Sequence, residues 1–484
     1  MVIRIIKYII SILALITLLI FGVLFSVIKL YDKEIKDIAL KQINNQLISP
    51  MIIEDIELSA FNYFPAISLQ FSNLLIKDPM ANNDTLLFAT NAFLNFDAYD
   101  LINKKYIVRK LVLKNGSFNA KVSTDGKENF NVFVSNNKHE NKNFKFSLDQ
   151  LNLKDFSLNY QNIPLRQEYD FTISDSKLKG QFSNKEYDLN IISSMLVNKF
   201  DLEGVNYISS KNANTEIILH VINDPFSLTI KKGKLKIADM NFFLEGDYKS
   251  SKKDMLNLNI KGNQIQISEI FSVLPLDYAS IKTKYSSEGI FNFDGNLNGE
   301  MNKEQPLSFV VNFNAENATL KDKLNNIQLE KIDLSGTFNN KKQKLRVINF
   351  SAFMNDKILR GNLEVNNFNN PTYFLNIEGL FDLNKISFFT TLKDFYLDGE
   401  TTIEMETKIT TKNDKLFLEN LDGKLVSKKI NIDYLTTKTH LELNDFEADI
   451  SKKNMDITVQ NSFFNEDKFS MNLNFMDWKK LIQA

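Results

Sequence analysis

The 484-residue chain contains no cysteine, a single tryptophan (Trp478) and three histidines. The missing cysteines exclude disulfides, thiolate metal centres and a cysteine nucleophile, and they suit an oxidising compartment. His139, His220 and His440 are isolated from one another in sequence, which argues against a histidine metal site. His139 falls in a polar stretch, and the other two flank strand-like runs as surface positions. One tryptophan leaves no row of aromatic platforms for a carbohydrate hydrolase groove. There is no GxSxG elbow, HExxH pair, Walker A loop or GxGxxG fingerprint. Carboxylates are numerous, yet nothing singles out one catalytic pair. The net charge of −1 provides no basic field for nucleic acid. The expectation is a protein that is not an enzyme: no catalytic residue, no metal, no cofactor and no nucleic-acid partner.

What the chain has is a polarity break at Lys29. Residues 8–28 carry no charge and read Ile, Leu, Val and Phe with small polar interruptions. At ~1.5 Å per residue the run spans ~30 Å, the thickness of a bilayer core. It is longer than the ~7–15 apolar residues of a signal peptide, and 25–31 offer no Ala-x-Ala cleavage pattern. A retained anchor over 1–30 is expected. Arg4 and Lys7 precede the run, while Lys29 and Lys33 follow beside Asp32 and Glu34. The balance of positive charge places the N-terminus in the cytoplasm and the body outside it. Residues 31–50 read as an amphipathic linker helix, with Ile35, Ile38, Ala39, Ile43 and Leu47 near helical spacing and Pro50 ending it.

From Ile52 the period changes from 3.6 to 2. Ile67, Leu69 and Phe71 alternate with Ser68, Gln70 and Ser72. The same pattern returns in 309–316, 402–409 and 469–476. Successive strand side chains point to opposite faces, so these are half-buried strands with one apolar and one wet face, the antiparallel pattern. Asp125-Gly126, Asp294-Gly295 and Asp422-Gly423 read as turns between strands. Lys231-Lys232-Gly233-Lys234 and Lys341-Lys342-Gln343-Lys344 read as hairpin tips, either solvated or in contact with anionic headgroups. Ile260 to Leu274 and Ile377 to Leu392 share a strand, a glycine and a short helical step, with Gly262 and Gly379 separated by 117 residues (379 − 262). The spacing suggests a duplicated multi-strand block. The fold class expected is mainly β: one N-terminal transmembrane helix, then an elongated, curled antiparallel β-sheet with a few short helices.

Certain residues carry a resemblance. Ala60-Phe61-Asn62-Tyr63-Phe64-Pro65-Ala66-Ile67-Ser68-Leu69 follows the linker helix, and Asn73-Leu74-Leu75-Ile76-Lys77-Asp78 comes next. A turn over 96–102, the strand 107–113 and a closing Asp125-Gly126-Lys127-Glu128-Asn129-Phe130 complete the set. This order resembles the N-terminal region of AsmA-like proteins. The blocks at 228–274, 289–299 and 345–392 resemble that family's repeated strand-and-short-helix unit. The resemblance implies an AsmA-like N-terminal β region over 51–150 and a repeated β-groove region over 151–484. It also implies an envelope protein anchored in the inner membrane with its body in the periplasm. Family members form a U-shaped antiparallel sheet whose apolar groove carries phospholipid acyl chains, so membrane lipids and envelope proteins are the partners implied.

Phe309, Val311, Phe313, Leu363, Val365, Leu375 and Ile377 stand out as groove-lining residues on apolar stripes. The expected role is non-enzymatic lipid binding or conduction for outer-membrane lipid homeostasis and assembly. The alternative is a scaffold assisting outer-membrane protein assembly, its apolar face closed by protein. N-terminal sequencing of the mature protein checks the anchor. The expected result is a start ahead of the apolar run, and a start near residue 30 would remove the tether.

Overall fold

We analysed a computed structural model, which describes residues 29, 33, 35–41, 43–45, 47–59, 66–81, 84–103, 105–132, 144–182, 185–202, 204–250, 253–273, 279–301, 307–324, 327–384, 395–412, 415–434, 436 and 439–477. The anchor expected over 1–30 lies outside them, as do His139 and Trp478. Among the described residues no helix is long and apolar enough to cross a membrane. The fold is mainly β: among the described residues 76% lie in strands, with a few short helices. It divides into two compact units, residues 1–238 with 244–254 and residues 239–243 with 255–484. The division falls inside one strand, Met240–Lys249. The boundary expected at 150 falls inside another, Phe144–Asn162.

In the first unit the strands are β1 (Met51–Ile52), β2 (Asp55–Ser59), β3 (Ile67–Lys77), β4 (Thr85–Phe96), β5 (Tyr106–Val122), β6 (Phe144–Asn162), β7 (Gln167–Lys179), β8 (Glu186–Leu202), β9 (Val205–Ile208), β10 (Lys211–Asn223) and β11 (Phe226–Ile237). β1 and β2 both pair with β3. All pairings here are antiparallel except one. β5 and β6 run parallel, from Tyr106↔Phe144 to Val122↔Asn162, so the sheet is mixed rather than antiparallel as expected. The physical reason is the connection over 123–143. A parallel pair needs a crossover of about a dozen residues or more, and this segment supplies it. The Asp125-Gly126 turn opens that crossover, with Gly126 at φ 82°.

The linker helix is present over the described residues 35–41 and 43–45. Its stripe faces the sheet: Ile35 and Ala39 are fully buried against Leu69, Phe71 and Leu94, with Ile38, Ile43 and Leu47 packed beside them. Asp97 caps the short helix Ala98–Ile102, accepting from the Tyr99 amide at 2.8 Å.

After β12 (Met240–Lys249), the second unit continues with β13 (Met255–Gln266), the helices Ile267–Val273 and Ala279–Lys284, and β14 (Tyr285–Glu300). Then come β15 (Ser308–Asp322), β16 (Ile327–Asn339), β17 (Lys344–Met354), β18 (Lys357–Asn366), β19 (Thr372–Asp382), β20 (Phe395–Lys412), β21 (Lys415–Tyr434), β22 (Thr439–Ile450), β23 (Asn454–Phe464) and β24 (Asp467–Met476). β13 to β24 form an antiparallel meander. The strand-plus-helix step expected after Gly262 is present; its counterpart after Gly379 lies mostly outside the described residues.

Two expected turns are strand interior. Asp294-Gly295 sits within β14 and Asp422-Gly423 within β21. In each pair the aspartate is on the wet face and the glycine on the apolar face, with ordinary contact room at Gly295 and none at Gly423. Asp294 pairs with Lys261 at 3.0 Å. A Cβ on Gly423 would stand 2.2 Å from the Glu404 carbonyl oxygen. The Lys231–Lys234 stretch is likewise not a hairpin tip but part of β11, with Lys231 bonded to Asp188 at 2.7 Å.

Bulges recur where the period slips. The register shifts between Gly262 and Ile265, Ala315 and Ala318, Val347 and Phe350, and Val459 and Ser462. Each slip holds a left-handed residue: Gln264, Asn317, Asn349 and Asn461, with φ between 46° and 56°. Asparagine tolerates this region better than most side chains. The amide freed from the ladder finds a side-chain acceptor on the next strand: Asn292, Asp333, Asn362 and Ser470 respectively, at 2.7–3.1 Å. Bulges bend the strand and increase its twist, which curls the sheet. Behind them Ala315, Ala318, Ile332 and Ala352 form a buried cluster, joined by Ile267 at the start of the first helix of this unit.

Two glycines test this packing. A Cβ on Gly336 would meet the Phe313 ring at 2.4 Å and the Arg346 carbonyl oxygen at 2.5 Å, whereas one on Gly295 would meet nothing closer than 3.4 Å. Gly336→Ala is expected to cost about 3 kcal/mol, and Gly295→Ala less than about 1 kcal/mol. Thermal unfolding followed by far-UV circular dichroism checks the ordering.

Candidate functional site

Directly opposed residues on neighbouring strands share a face, so the register shows which side chains line up. In the second unit one row runs Ile260, Gly295, Val311, Phe338, Leu345, Val365, Tyr373, Ile409, Leu418. The adjacent row runs Gly262, Phe293, Phe313, Gly336, Val347, Leu363, Leu375, Thr407, Leu421. A third runs Gly361, Ile377, Met405, Gly423, Ile450, Met455, Phe475. Phe309 opposes Leu297, two residues from Val311. All seven residues singled out in the sequence therefore lie on one face. Val365 is buried and the other six are half-buried.

No charged side chain belongs to any of these three rows. Aromatic rings lie close along the face: Phe291 to Phe313 at 6.0 Å, Phe291 to Phe293 at 6.2 Å and Phe309 to Phe338 at 6.2 Å. Glycines in the rows leave hollows that neighbouring rings fill. Phe293 lies over Gly262, and Phe313 lies over Gly336. The opposite face is polar, with the row Lys261, Asp294, Asn312, Thr337, Arg346, Glu364, Phe374, Lys408, Asn420.

The first unit repeats the arrangement within itself. Leu58, Leu69, Leu94, Leu111, Leu151, Leu178, Ile191 and Ile217 form one row through β2 to β10. Under the linker helix the row is buried at Leu69 and Leu94; from Leu111 onward it is half-buried. Tyr160, Tyr169 and Phe200 stack along the same unit, at 5.5 Å and 4.8 Å.

Two recesses hold polar groups. One of about 970 Å³ in the second unit involves Arg346, Glu364, Phe374, Lys408 and Glu419. Lys344 and Arg346 clamp Glu364 at 2.7 Å and 3.2 Å, and Lys408 holds Glu419 at 2.5 Å. The hydrogen bond from Lys344 lowers the Glu364 pKa, and that from Lys408 lowers the Glu419 pKa. Both carboxylates are held more firmly ionised, the reverse of what a general acid needs. The other recess, about 420 Å³ in the first unit, contains Asp78, Asn119, Asn129 and Tyr169. Here Asn129 is a clasp. Its amide donates to Asp78 Oδ2 at 2.7 Å and to the Asn119 carbonyl at 3.0 Å, while its oxygen accepts from the Lys121 amide at 2.7 Å. Among the described residues no group of three or more His, Asp or Glu side chains is arranged to hold a metal ion. His220 bridges Glu186 and Asp188 and His440 contacts Asp433, both within ion-paired strand faces.

Comparison of the chain with models of protein families, with curated proteins and with solved structures finds no match.

The alternation in the sequence marks one stretch of each row and misses its neighbours, such as Phe293, Phe338 and Val347. The signal that reaches them is the slip itself. Where two polar residues interrupt an alternating run, as Glu316-Asn317 do between Ala315 and Ala318, the apolar phase moves by one and the face continues. The Asp78–Asn129 pair tests the clasp. Asn129→Ala leaves a buried carboxylate and a buried amide without their partner, and is expected to cost about 3 kcal/mol. Hydrogen exchange should rise first around 78–84 and 119–130, with no comparable change in the second unit.

Proposed function

We propose that this chain is an AsmA-like envelope protein, anchored in the inner membrane and extending into the periplasm, that binds or conducts phospholipid for outer-membrane lipid homeostasis and assembly. It acts without catalysis. Each curled apolar face forms the wall of a U-shaped groove that receives acyl chains, and headgroups stay at the polar rim. The linker helix covers the start of the groove, and the apolar run at 8–28 holds that end at the bilayer.

The observation that carries this reading is the uncharged, half-buried face of the second unit. Its first row crosses nine strands, about 40 Å at ~4.8 Å per strand. Soluble monomers rarely expose more than a few hundred Å² of contiguous apolar surface, so a face of this extent calls for an apolar occupant. Acyl chains suit it because they need no polar partner and tolerate a lining that varies between Gly, Val, Leu and Phe.

Native mass spectrometry of detergent-extracted protein is expected to show co-purifying phospholipid. Val311→Asp is expected to lower both lipid occupancy and complementation of a deletion strain, because an unpaired carboxylate among apolar groups is costly. Leu363→Ala is expected to lose no more than a few kcal/mol of stability and to keep its lipid. If Val311→Asp folds, retains phospholipid and complements fully, the face is not a conduit. A protein that extracts without lipid under mild conditions would favour the scaffold.

A further inference from the structure

The strand ends of the second unit form two rims, one strongly basic and the other close to neutral. On one rim lie the β16–β17, β18–β19, β20–β21 and β22–β23 connections and the end of β24, because alternate hairpins of a meander share a side. These are residues 339–344, 366–372, 412–415, 450–454 and 476–477. They carry seven lysines against Asp414 and Asp477. Lys341, Lys342, Lys415, Lys452 and Lys453 are exposed, and none forms an ion pair among the described residues. The connections at the other end of the same strands, 322–326, 354–357, 382–395, 434–439 and 464–467, carry five lysines against six acidic residues.

The basic rim also presents large apolar side chains to water. Phe368 is 38% exposed, Leu416 67%, Phe417 38% and Met476 80%. They alternate along the rim with the lysines, at hairpins spaced about 10 Å apart, twice the strand separation. The turns are tied together by their backbones. The Asn367 amide donates to the Gln343 carbonyl at 2.9 Å, the Thr411 amide to Pro371 at 2.9 Å, and the Asp477 amide to Lys453 at 2.8 Å. The rim is thus a fixed line of positive charge with apolar tips.

We propose that this rim docks on an anionic lipid surface. Lysine ammonium groups complement lipid phosphates, and Leu416, Phe417, Phe368 and Met476 enter the region between headgroups and acyl chains. A purely electrostatic polyanion partner gives no role to the apolar tips; a lipid surface uses both. The inference rests on the lipid-groove reading for its purpose, since docking sets the open face beside a bilayer, but docking itself is measured separately.

The test uses the full-length chain in phosphatidylcholine nanodiscs, mixed with phosphatidylcholine vesicles with and without phosphatidylglycerol. Flotation is expected to recover the protein with the phosphatidylglycerol vesicles, and recovery should fall as salt rises. Each lysine near an anionic surface contributes about fivefold in affinity. Reversal of Lys341, Lys342, Lys452 and Lys453 to Glu is therefore expected to weaken binding by ~100-fold or more. Leu416→Ser with Met476→Ser is expected to weaken it without changing the salt dependence, and Lys321→Glu with Lys323→Glu to leave it unchanged. Circular dichroism melting establishes that each variant is folded. The salt dependence of the unaltered protein tests the charge term even if the quadruple variant does not fold.

Equal recovery with both vesicle types overturns the proposal, as does full binding by the folded quadruple variant. Binding that ignores the Leu416 and Met476 changes reduces the rim to a polyanion patch and also overturns it. Phospholipid co-purification, measured on the same preparations, reports on the groove. Loss of lipid with docking intact counts against the groove alone, and loss of docking with lipid retained counts against the rim alone.

Discussion

The structure depends on cross-strand register. Uncharged residues of the face stand opposite one another, strand after strand, as Val311 opposes Phe338 and Leu345 opposes Val365. Because side chains alternate with period 2, a slip of one residue would turn a whole strand's apolar set to water. A face held across many strands therefore needs every strand in phase. The bulges are how the chain bends without losing that phase. Each adds one residue, takes up a left-handed backbone and returns the next apolar side chain to the same side.

That constraint gives the abundant asparagines a structural meaning. Asn317, Asn349 and Asn461 occupy the left-handed positions, and Asn292 and Asn362 receive the amides that the bulges release. The wet face is then filled by ladders such as Asn296 to Asn259, at 2.7 Å, and by ion pairs such as Lys429 to Glu442, at 2.6 Å. Exposed ion pairs of this kind contribute little individually, typically below ~1 kcal/mol. They keep one face of the sheet soluble while the other stays apolar.

Much of this is legible in the sequence, because a period of 2 is a local signal. The alternation at 309–315 and 402–409 is enough by itself to put Phe309, Val311, Phe313 and their neighbours on one face. The linker helix is equally plain from Ile35, Ile38, Ala39 and Ile43. Two features are not legible. Asp294-Gly295 and Asp422-Gly423 have turn chemistry but lie mid-strand, and the crowding that excludes a side chain at Gly423 comes from the neighbouring strand, which no local window contains. The parallel pairing of β5 with β6 is hidden for the same reason, since an alternating strand reads the same whichever way its neighbour runs.

That parallel pair has a consequence for how the first unit assembles. Within β1 to β5 and within β6 to β11 every pairing joins strands that are consecutive or next but one in sequence, most of them hairpins over short loops. Joining β5 to β6 instead brings Tyr106 beside Phe144 across an intervening strand and crossover, a far longer loop. Loop-closure entropy grows with length, and non-local contacts form late. The two groups of strands thus correspond to separate local folding events, and the seam between them is the step at which the first unit becomes one body.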